Sequence, residues 1–239
     1  MNKALIAAAV FLASFTASLW LFMPYQAFID RIISNTQKNT GMTFKAQEVS
    51  ERMFSTEYFG VTIDGREIGD ISFGHNPLML MRKKTTVRSK GIYNADAVVS
   101  TDSVKFTLET SGQALDFIRE PIRMEGRVHL EGFLSTGNEI SKVYAEVEKA
   151  VMPSPLGDIE FENVTAVVEA ESGILKILSL KAEPSKPGGT ELEMKGRIVL
   201  NKKNPSASEI DLQGHAGVLG IRKKLSVKGR MDNLHPMFD

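Results

Sequence analysis

The stretch MEGRVHLEG, Met124 to Gly132, alternates hydrophobic or small residues with charged or polar ones. It returns as MKGRIVLNK, Met194 to Lys202, and in part as VKGRMDNLH, Val227 to His235. In strand geometry Met124, Gly126, Val128 and Leu130 share one face, and Glu125, Arg127, His129 and Glu131 share the other. The glycine therefore falls on the apolar face of every copy, at Gly126, Gly196 and Gly229. Glycine inside a strand marks a bulge, a bend or the close approach of another backbone, and its repetition lets a long sheet curl. The arginine beside it faces water. The phrase thus predicts structural bends at Gly126, Gly196 and Gly229, with no ligand assigned to the arginines.

The same period of two runs through most of the chain beyond Met42. Thr43 to Ala46 and Phe59 to Ile63 alternate, and Asp64-Gly65 after them is a turn signal. Val104, Phe106 and Leu108 oppose Lys105, Thr107 and Glu109. Val164, Ala166 and Val168 repeat the pattern, as do Leu178, Leu180 and Ala182, and then Leu192, Met194, Ile198 and Leu200 across a glycine. Ser111-Gly112, Gly137-Asn138, Ser172-Gly173, Pro187-Gly188-Gly189 and Asn204-Pro205-Ser206 separate the runs. Each run has one greasy and one charged face, which predicts a curved, mostly antiparallel sheet arranged as an open groove, a sandwich or a half-barrel. Two segments break the pattern. Gln113 to Arg119 reads as a short helical turn, and Pro77 to Met81, apolar without alternation, as a buried strand or a helical turn.

The amino terminus is written differently. Ala4 to Met23 carries no charge, and these 20 residues cover about 30 Å as a helix, the thickness of a bilayer's hydrocarbon core. Small residues within Ala13 to Ser18 leave a cleaved signal peptide as the competing reading, although the apolar run continues past them. Trp20 and Tyr25 suit a membrane interface, and Lys3 places the short end in the cytoplasm. Residues 1–29 are thus expected to anchor the chain in a bilayer. Phe28, Ile29, Ile32 and Ile33 recur at helical spacing towards Gly41, a C-cap, which predicts an amphipathic linker helix over 30–41 and a β-rich domain over 42–239.

Chemistry is sparse. The 239 residues hold 29 basic and 29 acidic side chains, a balance that excludes a nucleic-acid polyanion as the expected partner. With no cysteine there is no disulfide, zinc-thiolate site or thiol nucleophile. The four histidines, His75, His129, His215 and His235, lie far apart, and no nucleophile-elbow, Walker or zinc-protease motif occurs. The carboxylates of Asp158 to Glu162 alternate on a strand face. No catalytic residue, metal or cofactor is expected. The basic triplets Arg82-Lys83-Lys84 and Arg222-Lys223-Lys224 are candidate contacts to anionic lipid headgroups or to a partner's acidic patch.

The arrangement of membrane helix, short amphipathic segment and amphipathic strands resembles the type II secretion system protein N family, and more loosely the AsmA-type envelope proteins. The resemblance rests on Gly173-Ile174-Leu175-Lys176-Ile177, Gly188-Gly189, Gly196-Arg197-Ile198-Val199-Leu200 and the Ser-x-x-Asp-Leu pattern of Ser208 to Leu212. It implies a single-pass inner-membrane protein of a diderm bacterium with a periplasmic β-rich domain. Its implied role is non-enzymatic, as an accessory or scaffold of protein export, partnered by other envelope or secretion proteins. The residues support a rival reading. Many apolar strand faces with little helix to cover them would suit a carrier of lipid acyl chains.

Overall fold

The computed structural model describes residues 25–115, 123–135, 139–152, 158–201, 204, 207–218, 221–230 and 233–238. It is mainly β, and among the described residues the strand pairings within each part of the chain are antiparallel. The chain divides into two compact units, Met1–Gly91 and Ile92–Asp239. Among the described residues no helix is long and apolar enough to cross a membrane. The expected span, 4–23, lies outside those residues.

The amino-terminal unit opens with helix α1, Tyr25–Thr40, which begins five residues before the expected linker helix. It closes where the sequence predicts, because Gly41 takes a φ of +74° and donates its N–H to Gln37 O at 2.8 Å. The strands are β1 (Phe44–Lys45), β2 (Glu48–Arg52), β3 (Ser55–Ile63), β4 (Arg66–Gly74) and β5 (Lys84–Gly91), with helix α2 (Pro77–Met81) between the last two. The order is β1-β3-β4-β5, and β2 also pairs with β3. The β3–β4 hairpin turns on Asp64 and Gly65, both at positive φ, as a two-residue loop in a right-twisted hairpin requires.

α1 covers this sheet. Ile29 is buried with Tyr58 and Val61, and Ile33, Phe44, Ile63, Ile71 and Phe73 pack around them, whereas Ile32 of the expected stripe is exposed. The Tyr58 ring meets Phe44 and Phe73 edge-on at 5.7 Å, and its hydroxyl donates to Asp30 Oδ1 at 2.7 Å. Burial first, then this bond and the charge of Asp30, push the phenol far above its ordinary range. The amphipathic face of α1 is therefore spent on the sheet, with a polar bond fixing its rotation.

The second unit is built from ten strands: β6 (Tyr93–Ser100), β7 (Ser103–Ser111), β8 (Arg123–Ser135), β9 (Ser141–Met152), β10 (Ile159–Glu171), β11 (Ile174–Pro184), β12 (Thr190–Val199), β13 (Glu209–Val218), β14 (Ile221–Arg230) and β15 (Asn233–Phe238). Among the described residues they pair strictly in sequence order and β15 does not return to β6, so the sheet is open. Of the helical turn expected over Gln113 to Arg119, the described residues show a 3-10 turn, Gly112–Leu115, and 116–119 lie outside them. Residues 136–138 of the predicted Gly137-Asn138 turn lie outside the described residues. Strands β10 and β12 come within 8 Å of each other across β11. Two flat strand spacings would separate them by about 9.6 Å, so the sheet curls sharply there.

Among the described residues of the second unit, three bulges set the register. In β8 the step from Glu125 to Val128 faces only Lys149 to Val147, so Gly126 and Arg127 together oppose Glu148. In β10 the step from Glu162 to Thr165 faces Glu183 to Lys181, with Asn163 at a φ of +48°. In β11 Leu178 is the extra residue against both neighbours. This corrects the alternation expected for Leu178, Leu180 and Ala182. Ile177 pairs on the apolar side with Gly196, and Leu178 is displaced and 45% exposed.

His75, at the end of β4, is 4% exposed, and its ring stacks on Tyr25 at 4.1 Å. Burial pulls its imidazole below the ordinary 6.5. As pH falls, the unfolded chain takes up this proton first. The stability it contributes is complete above about 6.5 and is lost as pH drops from there towards the lower folded-state value. Denaturant midpoints measured between pH 7.5 and about pH 5 should fall, and His75→Phe should flatten that fall.

Candidate functional site

Register across the second unit assembles what single strands only suggest. Ala97, Phe106, Gly132, Val143, Val168, Ile177, Gly196, Leu212 and Val227 are successive partners, one from each strand from β6 to β14. A second row, two residues along, reads Ala95, Leu108, Leu130, Ala145, Ala166, Leu180, Met194, Gly214 and Leu225. No polar side chain interrupts either. Eight strand spacings make the strip about 38 Å long. That exceeds the roughly 30 Å of a bilayer's hydrocarbon core, two acyl chains end to end.

Among the described residues of this unit there is no α-helix, only 3-10 turns, and no residue of the first row is buried. Each keeps partial contact with solvent. In the second row only Met194 and Leu225 are buried.

The rows that alternate with these, on the other side of the sheet, are mostly polar. Asn94, Glu109, His129, Glu146, Thr165, Lys181, Glu193, His215 and Lys224 are successive partners. Ion pairs cross the ladder on this side, Lys142 to Glu169, Lys181 to Glu193 and Lys228 to Asp211, each at 3.7 Å. By contrast, beyond the β8 bulge and on the same side as Val143, Ala145 and Val147, Lys149 joins Glu125 and Glu160 at 3.3 and 3.4 Å, which raises its own pKa and lowers that of Glu160. These groups are solvated, and such pairs stabilise little. A hollow of about 680 Å³ also lies on the polar side, over Glu193, Lys195, Gln213, His215, Lys224 and Lys228. Its charges are mixed and exposed, so we regard the unbroken apolar strip as the stronger candidate site.

The three predicted bends differ in kind. Gly126 is exposed and lies in the β8 bulge at a φ of +74°, not in register on the apolar face as the alternation suggested. The freed N–H of Arg127 donates to Glu148 Oε2 at 2.8 Å. The β3 bulge is closed in the same way, with Gly60 N–H donating to Asp70 Oδ1 at 3.0 Å. Gly196 holds a regular paired position on the apolar side, where a Cβ would strike the Asp211 carbonyl. Gly229, opposite Ile210, has a φ of +134°. Of the serines, Ser208 in the Ser-x-x-Asp-Leu pattern accepts from Asn201 N–H at 3.1 Å, as Ser141 accepts from Ser135 N–H at 2.9 Å, closing loops at one end of the sheet.

The basic triplets are not assembled into a pocket. Arg82 caps α2, Lys83 sits at a φ of +54°, and Lys84 begins β5. In β14 alternation splits the other triplet. Arg222 pairs with Glu191 at 2.6 Å, Lys224 shares the polar row, and Lys223 falls opposite Ala216. His129 lies 3.5 Å from Glu109, and His235 pairs with Lys228 in β15 instead of lying in a tail. Compared with known proteins, the chain matches no family model, no curated protein and no solved structure.

Gly196→Val is expected to cost about 2–4 kcal/mol, from left-handed backbone and overpacking together. Gly126→Val should destabilise by a similar mechanism, whereas Arg127→Ala and Arg197→Ala should stay within about 0.5 kcal/mol of the parent in urea titrations. If the arginine changes were the more damaging on folded protein, the bends would be the wrong reading of the repeat.

Proposed function

We propose that this chain is a non-enzymatic lipid-binding protein of a bacterial envelope, which carries acyl chains along the apolar strip of β6–β14. The observation that carries this reading is the first row, apolar or glycine in nine successive strands and nowhere buried. A sandwich or a closed barrel would satisfy such a face from within the protein. An open sheet leaves it for an apolar ligand, and at about 25 cal/mol per Å² the gain from covering it is large. The anchor read from residues 4–23 would hold the carrier at its lipid source, with the domain in the periplasm.

The accessory role in type II secretion, implied by the resemblance, is a second proposal. It draws support from one feature, the outer edge of β15, which no described strand pairs. Such an edge can accept a neighbour's strand by main-chain hydrogen bonds.

A photo-crosslinking amino acid at Val168 tests the first reading, with Glu169, the next residue on the opposite side, as control. Lipid adducts in intact cells should be about tenfold more abundant at 168, because an apolar site excludes the polar side. Equal yields at the two positions, or none, would sink the carrier.

A further inference from the structure

We propose that one end of the amino-terminal unit rests on an anionic bilayer surface, through the β2–β3 turn and helix α2. Large hydrophobic side chains are exposed there together: Met81 at 80%, Leu78 at 69%, Met53 at 61% and Phe54 at 45%. A short turn or a five-residue helix normally displays polar residues. Here the apolar side chains face outward even though the core of Ile29, Tyr58 and Val61 lies in the same unit.

The patch is held rigidly. Asn76 Oδ1 accepts from Leu78 N–H at 2.9 Å, and Asn76 O accepts from Met79 and Leu80. This fixes α2 so that Leu78 and Met81, three residues apart, share a face. The β2–β3 turn is tied to the same place, because His75 N–H donates to Phe54 O at 2.8 Å and Ser55 pairs with Gly74.

Two features select a bilayer as the occupant. Arg82, Lys83 and Lys84 follow Met81 directly, so the exposed apolar side chains carry a cationic collar, the pairing that interfacial segments use on anionic lipid. In addition, Tyr25 is the second residue after the 20-residue apolar stretch 4–23, and its ring stacks on His75, the residue that joins the turn to α2. The chain thus arrives from a bilayer-length segment at the patch itself. This inference stands apart from the lipid strip of the second unit and uses none of its residues.

The test uses the full chain in vesicles. The absence of native cysteine makes single labels unambiguous. An environment-sensitive fluorophore is placed at Met81→Cys or Met53→Cys, with Glu67→Cys at the far end of the β3–β4 hairpin as control, and spin-labelled phospholipid serves as quencher. In phosphatidylglycerol-containing vesicles the labels at 81 and 53 should be quenched about threefold more than the label at 67. In phosphatidylcholine alone, or with Arg82, Lys83 and Lys84 reversed to glutamate, that excess should fall by about half or more. Quenching no greater at 81 and 53 than at 67 overturns the proposal, including the case where those labels are shielded only in cells, which would assign the patch to a protein partner. Equal excess in neutral and anionic vesicles overturns the role of the basic triplet.

Discussion

Register is the constraint on which the rest of this structure depends. A strand that slips by one residue turns its whole apolar set to the other side of the sheet. In the second unit that condition must hold across strand after strand, since one misplaced strand would break the strip with charge. The bulge at Leu178 shows how it is met. Leu175 and Ile177 are odd-numbered, Leu180 and Ala182 even, and the extra residue between them absorbs the change of parity. The same device that preserves the pattern also bends the ladder, which is why the curl falls at β11.

The two units meet one problem, an amphipathic sheet in water, in different ways. In the first, α1 lays Ile29 and Ile33 over the sheet, and the Tyr58 to Asp30 bond fixes the helix in place. In the second, no comparable element lies among the described residues. Fully burying a side chain such as Phe106 or Ile177 would contribute about 1.5–3 kcal/mol, and half-buried positions realise only part of that. Hydrogen bonds of a long antiparallel ladder and the close packing of neighbouring side chains carry the fold instead. The stability left unrealised on the apolar side is what a ligand can supply.

Much of this was legible in the sequence because it is local. Alternation over a few residues specifies a strand, Asp64-Gly65 and Ser172-Gly173 specify two-residue turns at positive φ, and Gly41 specifies a helix end. What was not legible depends on the partner strand. Gly126 looks like an apolar-face position until Glu148 is placed opposite it, and Leu178 looks equivalent to Leu180 until Ile177 is paired with Gly196. Pro77 to Met81 carries no sign of whether its side chains face in or out, since that is decided by a sheet already covered from elsewhere by α1. The candidate site shares this property. Phe106, Val143 and Val168 are ordinary strand residues one at a time, and only the pairing makes them a row.

The ladder of the second unit is one-dimensional. Each strand is held by the one before and the one after, so its length is not fixed by the need to close a barrel or match a facing layer. Adding or removing a hairpin in the middle would change the apolar strip by about 9.6 Å and leave the other strands in their places. An architecture of this kind can be cut to measure over evolutionary time, its span following the size of what it must reach while the design of each strand stays the same.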